Sequence, residues 1–286
     1  MSAPGWEVVA DGFTFLEAPR WHQGALYASD FYSHRVLRFS GNEVETMCEV
    51  PGQPSGLGFS PDGHLMVVSM TDHRLLLLDD GGLRTVADFS HLCEGLANDM
   101  VVDGRGRAFI GNDGELDPVR PTGLVRVDPD GSSRIVATGL YVPNGAVITP
   151  AGELWLAETF AARISAWTMG ADGALTRRRV LHDFAVGSPL PRDVADALVI
   201  LPVLPDGMAL DGQGRLWVAD AKGGGVLCLA GGEVVERVPT SPLTAYGVAI
   251  GGERGDQLFV CAAPSLRDLD RNGATTESVL LRRRIE

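Results

Sequence analysis

The chain has 286 residues, 45% of them hydrophobic, and a formal net charge of −13 at pH 7. This length exceeds that of an ordinary single core but suits a closed all-β architecture. A surface with so large an acidic excess repels phosphate backbones and anionic membranes, so we expect neither a nucleic acid nor a membrane as a partner.

The N-terminal segment has neither the basic region nor the apolar region of a secretory signal. Four cysteines lie far apart, at positions 48, 93, 228 and 261, without any CxxC spacing. Cysteines spaced in this way are typical of reduced thiols rather than of a disulfide framework. We therefore expect a cytoplasmic protein.

One pattern occurs six times along the chain: a polar turn with Gly, two apolar residues, then alternation that ends in a small or acidic residue. Its copies are HQGALYASD (22–30), PDGHLMVVS (61–69), DGRGRAFIG (103–111), PAGELWLAE (150–158), DGQGRLWVAD (211–220) and GDQLFVCA (255–262). The turn residues supply the positive φ that a tight hairpin needs, and the apolar pairs suit half-buried strands.

The first apolar residues of the six copies are 39, 43, 46, 62 and 42 residues apart. Periods in the forties with several short strands each indicate propeller blades rather than helical repeats. The sequence therefore predicts an all-β fold, a six-bladed β-propeller with four-stranded antiparallel blades around a central channel. We expect residues 1–286 to form a single domain, with the segment 7–10 (EVVA) pairing with the last blade.

The longest of these spacings contains an insertion between blades at about 186–204, with the sequence VGSPLPRDVADALVILPVL. The segment 193–200 has the pattern of a short helix. Because the insertion ends directly before Asp206, we interpret it as a lid or pocket wall rather than as an inert surface excursion.

Polar side chains occupy equivalent places ahead of the six hairpins. They are Glu17, Ser55, Asn98, Asn144, Asp206 and Tyr246. Each opens the strand that runs into its hairpin, and the innermost strand of a propeller blade lines the central channel. The sequence therefore predicts that residues as distant as Glu17 and Asp206 become neighbours at one mouth of the channel.

Two acids near one axis repel each other, and buried unpaired charge is costly. A divalent cation would resolve this repulsion: Glu17 and Asp206 would neutralise it, and Asn144, with Asn98 as a further candidate, would add neutral oxygen ligands. All-oxygen ligation without His or Cys points to calcium, magnesium or manganese rather than structural zinc. Calcium is our first choice, and zinc in a non-structural role stays among the alternatives. Asn and Asp before Gly are also ordinary turn residues, but a shared position in four blades favours a site.

A second set of polar residues lies four positions after the first apolar residue in five of the repeats: Asp30, Ser69, Asn112, Glu158 and Asp220. Three of them have an arginine five residues farther on: Asp30 with Arg35, Ser69 with Arg74, and Glu158 with Arg163. We interpret these as salt bridges that hold loops. Asn112, Asp113 and Glu115 lie in a longer loop that could line a pocket.

Other catalytic patterns are missing from the sequence. There is no GxSxG motif, and the six histidines fall outside the predicted metal positions, which argues against a serine hydrolase and against a four-histidine iron centre.

Several motifs of the chain belong together. They are Glu17-Ala18-Pro19-Arg20-Trp21, Ser29-Asp30-Phe31 with His34-Arg35-Val36, Asn98-Asp99, Pro143-Asn144-Gly145, Glu158-Thr159 with Arg163-Ile164, and Pro205-Asp206-Gly207-Met208. In these motifs, over essentially its whole length, the chain resembles the SMP-30/gluconolactonase/LRE-like (regucalcin-like) propellers. The resemblance implies a metal held by Glu17, Asn144 and Asp206, with Asn98 contacting metal-side water or substrate. It also implies lactone hydrolysis, with Asp206 as the acid/base group.

The chain departs from this family at one position. Members that hydrolyse sugar lactones usually carry an arginine two residues before the asparagine that matches Asn98, and here that residue is Leu96. Other candidates for the pocket wall are largely apolar: Trp21, Met100, Tyr141, Met208 and Tyr246. We therefore expect a substrate less polar than gluconolactone.

The function predicted from these observations is metal-dependent hydrolysis of a lactone or a related ester. Asp206 acts as the base itself or orients a metal-bound water, and Asn98 positions the substrate. Three alternatives stay open: a phosphotriesterase-type hydrolase at the same site, a metal-free enzyme of the strictosidine-synthase type, and a non-catalytic propeller that binds a metal or small ligand. The sequence leaves both monomer and homodimer open.

Overall fold

The computed structural model of the chain describes residues 5–265 and 275–286, and strands dominate its secondary structure. The first five strands are β1 (Glu7–Phe13), β2 (Leu16–His22), β3 (Ala25–Asp30), β4 (Arg35–Ser40) and β5 (Glu43–Glu49). The next eight are β6 (Pro54–Phe59), β7 (Leu65–Ser69), β8 (Arg74–Asp79), β9 (Gly82–Asp88), β10 (Ala97–Val102), β11 (Ala108–Asn112), β12 (Thr122–Val127) and β13 (Ser133–Leu140).

The remaining elements complete the same scheme. They are β14 (Pro143–Ile148), β15 (Glu153–Glu158), β16 (Arg163–Met169), β17 (Leu175–Asp183), the helix α1 (Val194–Ile200), β18 (Pro205–Leu210), β19 (Leu216–Asp220), β20 (Gly225–Ala230), β21 (Glu233–Pro239), β22 (Thr244–Gly251), β23 (Gln257–Ala263) and β24 (Ser278–Arg284). Short 3₁₀ turns lie at Phe31–Ser33, Ser90–Leu92 and Thr159–Ala161.

The described strands form six four-stranded sheets, five of them in plain chain order: β2–β5, β6–β9, β10–β13, β14–β17 and β18–β21. The sixth has the order β1-β24-β23-β22, so the N-terminal strand completes the last sheet. The pairs whose register is resolved are antiparallel. This is the six-bladed β-propeller that the repeats predict. Each hairpin of the repeat pattern joins the first two strands of a blade.

The chain divides into two compact units, Met1–Pro54 with Asp206–Glu286, and Ser55–Pro205. Each unit contains three of the blades, and in each the apolar residues of neighbouring sheets pack into a core. In the first unit one core cluster joins Trp6, Trp217, Val260 and Leu281. In the second unit a cluster joins residues of the second and third blades, among them Val68, Leu75, Phe89 and Ile110.

The predicted pairing of the N-terminal segment with the last blade is confirmed. Strand β1 is antiparallel to β24, with Glu7 opposite Arg282 and Phe13 opposite Ser278. Just before β1, the Trp6 side chain is 6% exposed, and its Nε1 donates a hydrogen bond of 2.8 Å to the Pro239 carbonyl oxygen. Trp6 therefore anchors β1 to the core of the first unit.

The predicted short helix of the insertion is also present, as α1. Asp193 caps it, because its carboxylate accepts a hydrogen bond from the Asp196 backbone N–H. The insertion is tied to the loop after β11 by a hydrogen bond of 2.7 Å from the Val119 N–H to the Arg192 carbonyl oxygen. Within residues 5–265 and 275–286, no helix has the length and apolar character needed to cross a membrane.

Two of the three predicted salt bridges are confirmed. Asp30 pairs with Arg35 at 2.9 Å, and the fully buried Glu158 pairs with Arg163 at 2.8 Å. Burial opposes ionisation of Glu158, but hydrogen bonds from Arg163 and Ser165 hold its pKa below the usual value. The prediction was wrong for Ser69 and Arg74. A serine carries no charge to pair with an arginine, and Arg74 instead forms ion pairs with Asp72 and Asp88.

We expect Trp6→Ala to lower the free energy of unfolding by about 3 kcal/mol, because it removes a buried indole and its hydrogen bond. Chemical denaturation measures this loss. The matched control is Val8→Ala, since Val8 is 41% exposed on the adjoining strand, and its effect should stay within about 0.5 kcal/mol. Equal effects of the two substitutions would show that Trp6 does not anchor β1.

Candidate functional site

The six predicted polar residues lie near the start of the first strand of each blade. Five of them occupy the second position of that strand: Glu17 in β2, Ser55 in β6, Asn98 in β10, Asn144 in β14 and Asp206 in β18. Tyr246 occupies the third position of β22. The repeats therefore put these side chains in the same place in every blade.

Strand pairing is irregular at these positions. Register shifts occur between Glu17 and Arg20, between Ala97 and Met100, and between Pro143 and Ala146. An irregularity of this kind breaks the alternation of a strand and re-aims a side chain away from the pleat. In blades one, three and four, the polar side chain at the strand start therefore does not have to follow the alternating orientation of the side chains in the rest of the strand.

In the first unit, close backbone contacts place Asp206, Tyr246 and Glu17 on successive strands. A Cβ atom on Gly207 would lie 2.8 Å from the Gly247 Cα and 2.9 Å from the Tyr246 carbonyl oxygen. A Cβ atom on Gly247 would in turn overlap the ring of Pro19. Strands β18, β22 and β2 therefore lie side by side at the level of the predicted site.

The two acids predicted as metal ligands, Glu17 and Asp206, both lie in this unit. Asp206 is 7% exposed, and the Glu17 carboxylate accepts a hydrogen bond of 2.6 Å from the Ala18 backbone N–H. Burial, and after it the negative charge of Glu17, raises the pKa of the Cys261 thiol well above its usual value. Cys261 is therefore a protonated core residue and not a nucleophile.

In the second unit the same kind of contact aligns Ser55, Asn98 and Asn144. A Cβ atom on Gly56 would lie 2.6 Å from the Met100 backbone nitrogen, and one on Gly111 would overlap the Pro143 carbonyl oxygen. The Ser55 hydroxyl donates to Asn98 Oδ1 at 3.4 Å. The structure thus brings each half of the predicted set together within its own unit.

Asn144 is nearly buried, at 8% exposed, and its side chain has no hydrogen-bond partner among the described residues. A nearly buried amide without an internal partner needs a water, an ion or a substrate to satisfy it. No three His, Cys, Asp or Glu side chains cluster as metal ligands in the described residues, and the predicted set contains only two acids besides this amide.

Asp113, one of the loop residues that could line a pocket, contacts the predicted site residue Asn98. Asn98 Nδ2 donates a hydrogen bond of 3.0 Å to Asp113 Oδ1. Burial raises the pKa of Asp113 to about 6, and the hydrogen bond from Asn98 offsets only part of that rise. The sequence predicted only that this loop could line a pocket, because nothing in the local pattern shows that Asp113 reaches Asn98.

The predicted pocket residues differ in their surroundings. Leu96 is 38% exposed just before β10, and Tyr141 is partly buried just before β14. Met100 and Met208 are buried, and the Tyr246 hydroxyl donates to the Pro264 carbonyl oxygen at 2.7 Å.

Trp21 lies four residues beyond Glu17 on β2, which is about 13 Å at 3.3 Å per residue. There it stacks on Phe259 and lines a cavity of about 680 Å³ with Gly24, Arg254 and Arg282. The sequence predicted that Trp21 lines the pocket wall near Glu17. The cavity that Trp21 lines lies in a different part of the first unit.

Comparison with known proteins matches residues 15–264 to the model of the SMP-30/Gluconolactonase/LRE-like region. The chain belongs to this family. The resemblance that the sequence motifs indicated is thereby confirmed. Among known proteins, pentonolactonase XacC of Haloferax volcanii is 31% identical to this chain over 86% of this chain and 81% of its own length.

A second relative, 6-deoxy-6-sulfogluconolactonase of Pseudomonas putida, is 25% identical over 89% of this chain and 85% of its own length. Among solved structures, the calcium-binding protein regucalcin of Agrobacterium tumefaciens superposes with a TM-score of 0.76 at 18% identity, covering 98% of this chain and 95% of that chain. At this identity the likeness establishes the family's propeller fold alone.

Gly207→Ala should lower the free energy of unfolding by about 1–3 kcal/mol, because its Cβ would push the strands of Asp206 and Tyr246 apart. Gly212→Ala is the matched control in the same blade, since nothing lies within 4 Å of a Cβ there and its φ is not positive. Thermal and chemical unfolding of the two variants measures the difference. A Gly207→Ala variant as stable as Gly212→Ala would contradict the close approach of these strands.

Proposed function

We propose that this protein is a divalent-metal-dependent hydrolase that opens the ring of a lactone. The observation that carries the proposal is the recurrence of oxygen-bearing side chains at one position of the first strand in successive blades: Glu17, Asn98, Asn144 and Asp206. Membership of a family whose relatives include proteins named as lactonases supports the choice of substrate class.

The residues that would hold the metal are Glu17, Asn144 and Asp206. Two carboxylates and one amide oxygen suit a hard cation, and calcium is our first choice. The buried Asn144 amide, which has no hydrogen bond to the described residues, supports this ligand set. When bound, a divalent cation supplies charge that polarises the lactone carbonyl and stabilises the oxyanion.

Asp206 is the proposed acid/base group. Its carboxylate takes a proton from the water that attacks the carbonyl carbon, and the acyl–oxygen bond of the ring then breaks. The same proton passes to the departing ring oxygen, so one lactone and one water give one hydroxy acid. Asn98 contacts the substrate beside the reacting carbonyl and holds it in place for attack.

The substrate we propose is less polar than a sugar lactone. Leu96 is exposed beside Asn98, and it offers no hydrogen bond to a substrate hydroxyl group. Two relatives are named as a pentonolactonase and a 6-deoxy-6-sulfogluconolactonase, and this chain is proposed to differ from them in preferring a lactone with fewer hydroxyl groups. The first assay is therefore a series of γ- and δ-lactones that runs from sugar lactones to alkyl and aryl lactones.

Removal of the metal and Asp206→Asn should each abolish lactone opening. Chelator-treated protein should regain turnover when calcium, magnesium, manganese or zinc is restored singly. Asp206→Asn should lower kcat by at least about 100-fold, because it removes the acid/base group and one negative ligand. Titration calorimetry should show weaker metal binding by the variant.

The matched control for Asp206→Asn is Asp62→Asn, an exposed turn residue of the second blade, and it should keep wild-type turnover. Full activity of Asp206→Asn, or turnover that survives a chelator, would overturn the proposed site. Tight metal binding without turnover of any lactone would favour a binding role, and a preference for phosphate triesters would favour the phosphotriesterase alternative.

Leu96→Arg should shift the specificity toward sugar lactones, because a guanidinium group can donate to substrate hydroxyls where leucine cannot. We expect the ratio of kcat/KM for a pentonolactone to that for an alkyl lactone to rise about tenfold. Leu96→Met is the control that keeps an apolar side chain and should leave the ratio unchanged. A wild-type protein that already prefers sugar lactones would contradict the inference from Leu96.

A further inference from the structure

Asp113 differs from several other acids of the molecule in how its carboxylate is satisfied. Four other acids with buried carboxylates each pair with an arginine: Asp30, Asp103, Glu158 and Asp211. Within the described residues, the Asp113 carboxylate has no ion pair, and its one hydrogen bond comes from Asn98 Nδ2 at 3.0 Å. Among the described residues, the hydrogen-bond donor that its carboxylate faces is therefore the Asn98 carboxamide.

The loop that carries Asp113 is firmly held. The fully buried Asn112 accepts hydrogen bonds at Oδ1 from the Gly114 N–H and the Thr122 hydroxyl, and its Nδ2 donates to the Gly123 carbonyl oxygen. The Asp113 N–H donates to the Leu96 carbonyl oxygen at 2.9 Å. These bonds fix the backbone of Asp113 against the residue that precedes the Asn98 strand.

Asn98 lies between two partners of different chemistry. The Ser55 hydroxyl can either donate or accept a hydrogen bond, so it tolerates both orientations of the carboxamide. An ionised carboxylate can only accept, so Asp113 requires the amide nitrogen on its side. The contact with Asp113 therefore decides which way the Asn98 carboxamide faces.

We propose that Asp113 is a positioning residue that locks the carboxamide of Asn98 in one orientation for contact with the substrate. The inference rests on the proposed function, because it assigns Asn98 a place beside the substrate. With one N–H engaged by Asp113, the second N–H and a lone pair of Oδ1 remain for the substrate, in a fixed geometry. Without Asp113 the Asn98 carboxamide can flip, so that its Oδ1 and Nδ2 atoms exchange positions.

A double-mutant cycle tests this role at pH 8, two units above the pKa of about 6 that Asp113 has. We expect Asp113→Ala to lower kcat/KM for the best lactone of the series about tenfold, mainly through kcat. In an Asn98→Ala background the same change should have no further effect. Asp113→Asn, which keeps an acceptor but also offers an N–H, should lie between wild type and Asp113→Ala.

The control for loss of a negative charge is Glu94→Ala, an exposed acid two residues before Leu96, which should leave kcat/KM unchanged. An effect of Asp113→Ala that is equally large in the Asn98→Ala background would overturn the proposal and show that Asp113 acts on the fold alone. If Asp113→Ala does not fold, the cycle with Asp113→Asn decides in the same way.

A second measurement does not depend on turnover. The side-chain amide signals of Asn98, assigned with Asn98→Asp in ¹⁵N-labelled protein, should show one hydrogen-bonded, slowly exchanging N–H in wild type. Asp113→Ala should remove that protection. Unchanged signals would overturn the positioning role whether or not lactones are hydrolysed, whereas changed signals in a protein that opens no lactone would refute only the proposed function.

Discussion

The arrangement of the predicted site depends on how closely the first strands of neighbouring blades approach each other. A glycine directly follows each of Asp206, Tyr246 and Ser55. Because glycine has no Cβ, the adjacent strand can approach closely at these positions. A side chain at any of these positions would force the strands apart. Protein interiors are packed about as densely as organic crystals, so they do not easily accommodate the added volume. Because the strands touch at these glycines, the residues just before them are held close to the neighbouring strand of the same unit.

The buried acids of the molecule are not all satisfied in the same way. Asp30, Asp103, Glu158 and Asp211 are paired with arginines and hold turns and strand ends, which a buried carboxylate can do only when its charge is balanced. Asp113 has an amide as its hydrogen-bond donor instead, so its pKa rises with burial and its acceptor groups orient Asn98. The same residue type thus stabilises loops in some blades and arranges a neighbouring side chain in another.

Specificity is proposed to lie in the part of the second unit where its loops meet. Leu96 is exposed beside Asn98, and the loop that follows Asp113 is hydrogen-bonded to the insertion through Val119 and Arg192. The insertion presents Val186, Leu190 and Val199 to solvent, while Leu201, Val203 and Leu204 are buried as the chain returns to Asp206. The apolar residue at position 96 suits a substrate with few hydroxyl groups.

The sequence by itself determined the number of blades, the hairpin of each blade, the helix of the insertion and the place of each polar residue at the start of its strand. It also predicted the pairs Asp30–Arg35 and Glu158–Arg163, because these features depend on turn residues and on alternation over a few positions. Tertiary structure alone decided that Arg178 joins Glu158, that Arg74 faces Asp72 and Asp88, that Trp21 lines a separate cavity and that Asp113 holds Asn98. These contacts join different strands and loops, and their geometry is set by how the chain packs, which no local periodicity encodes.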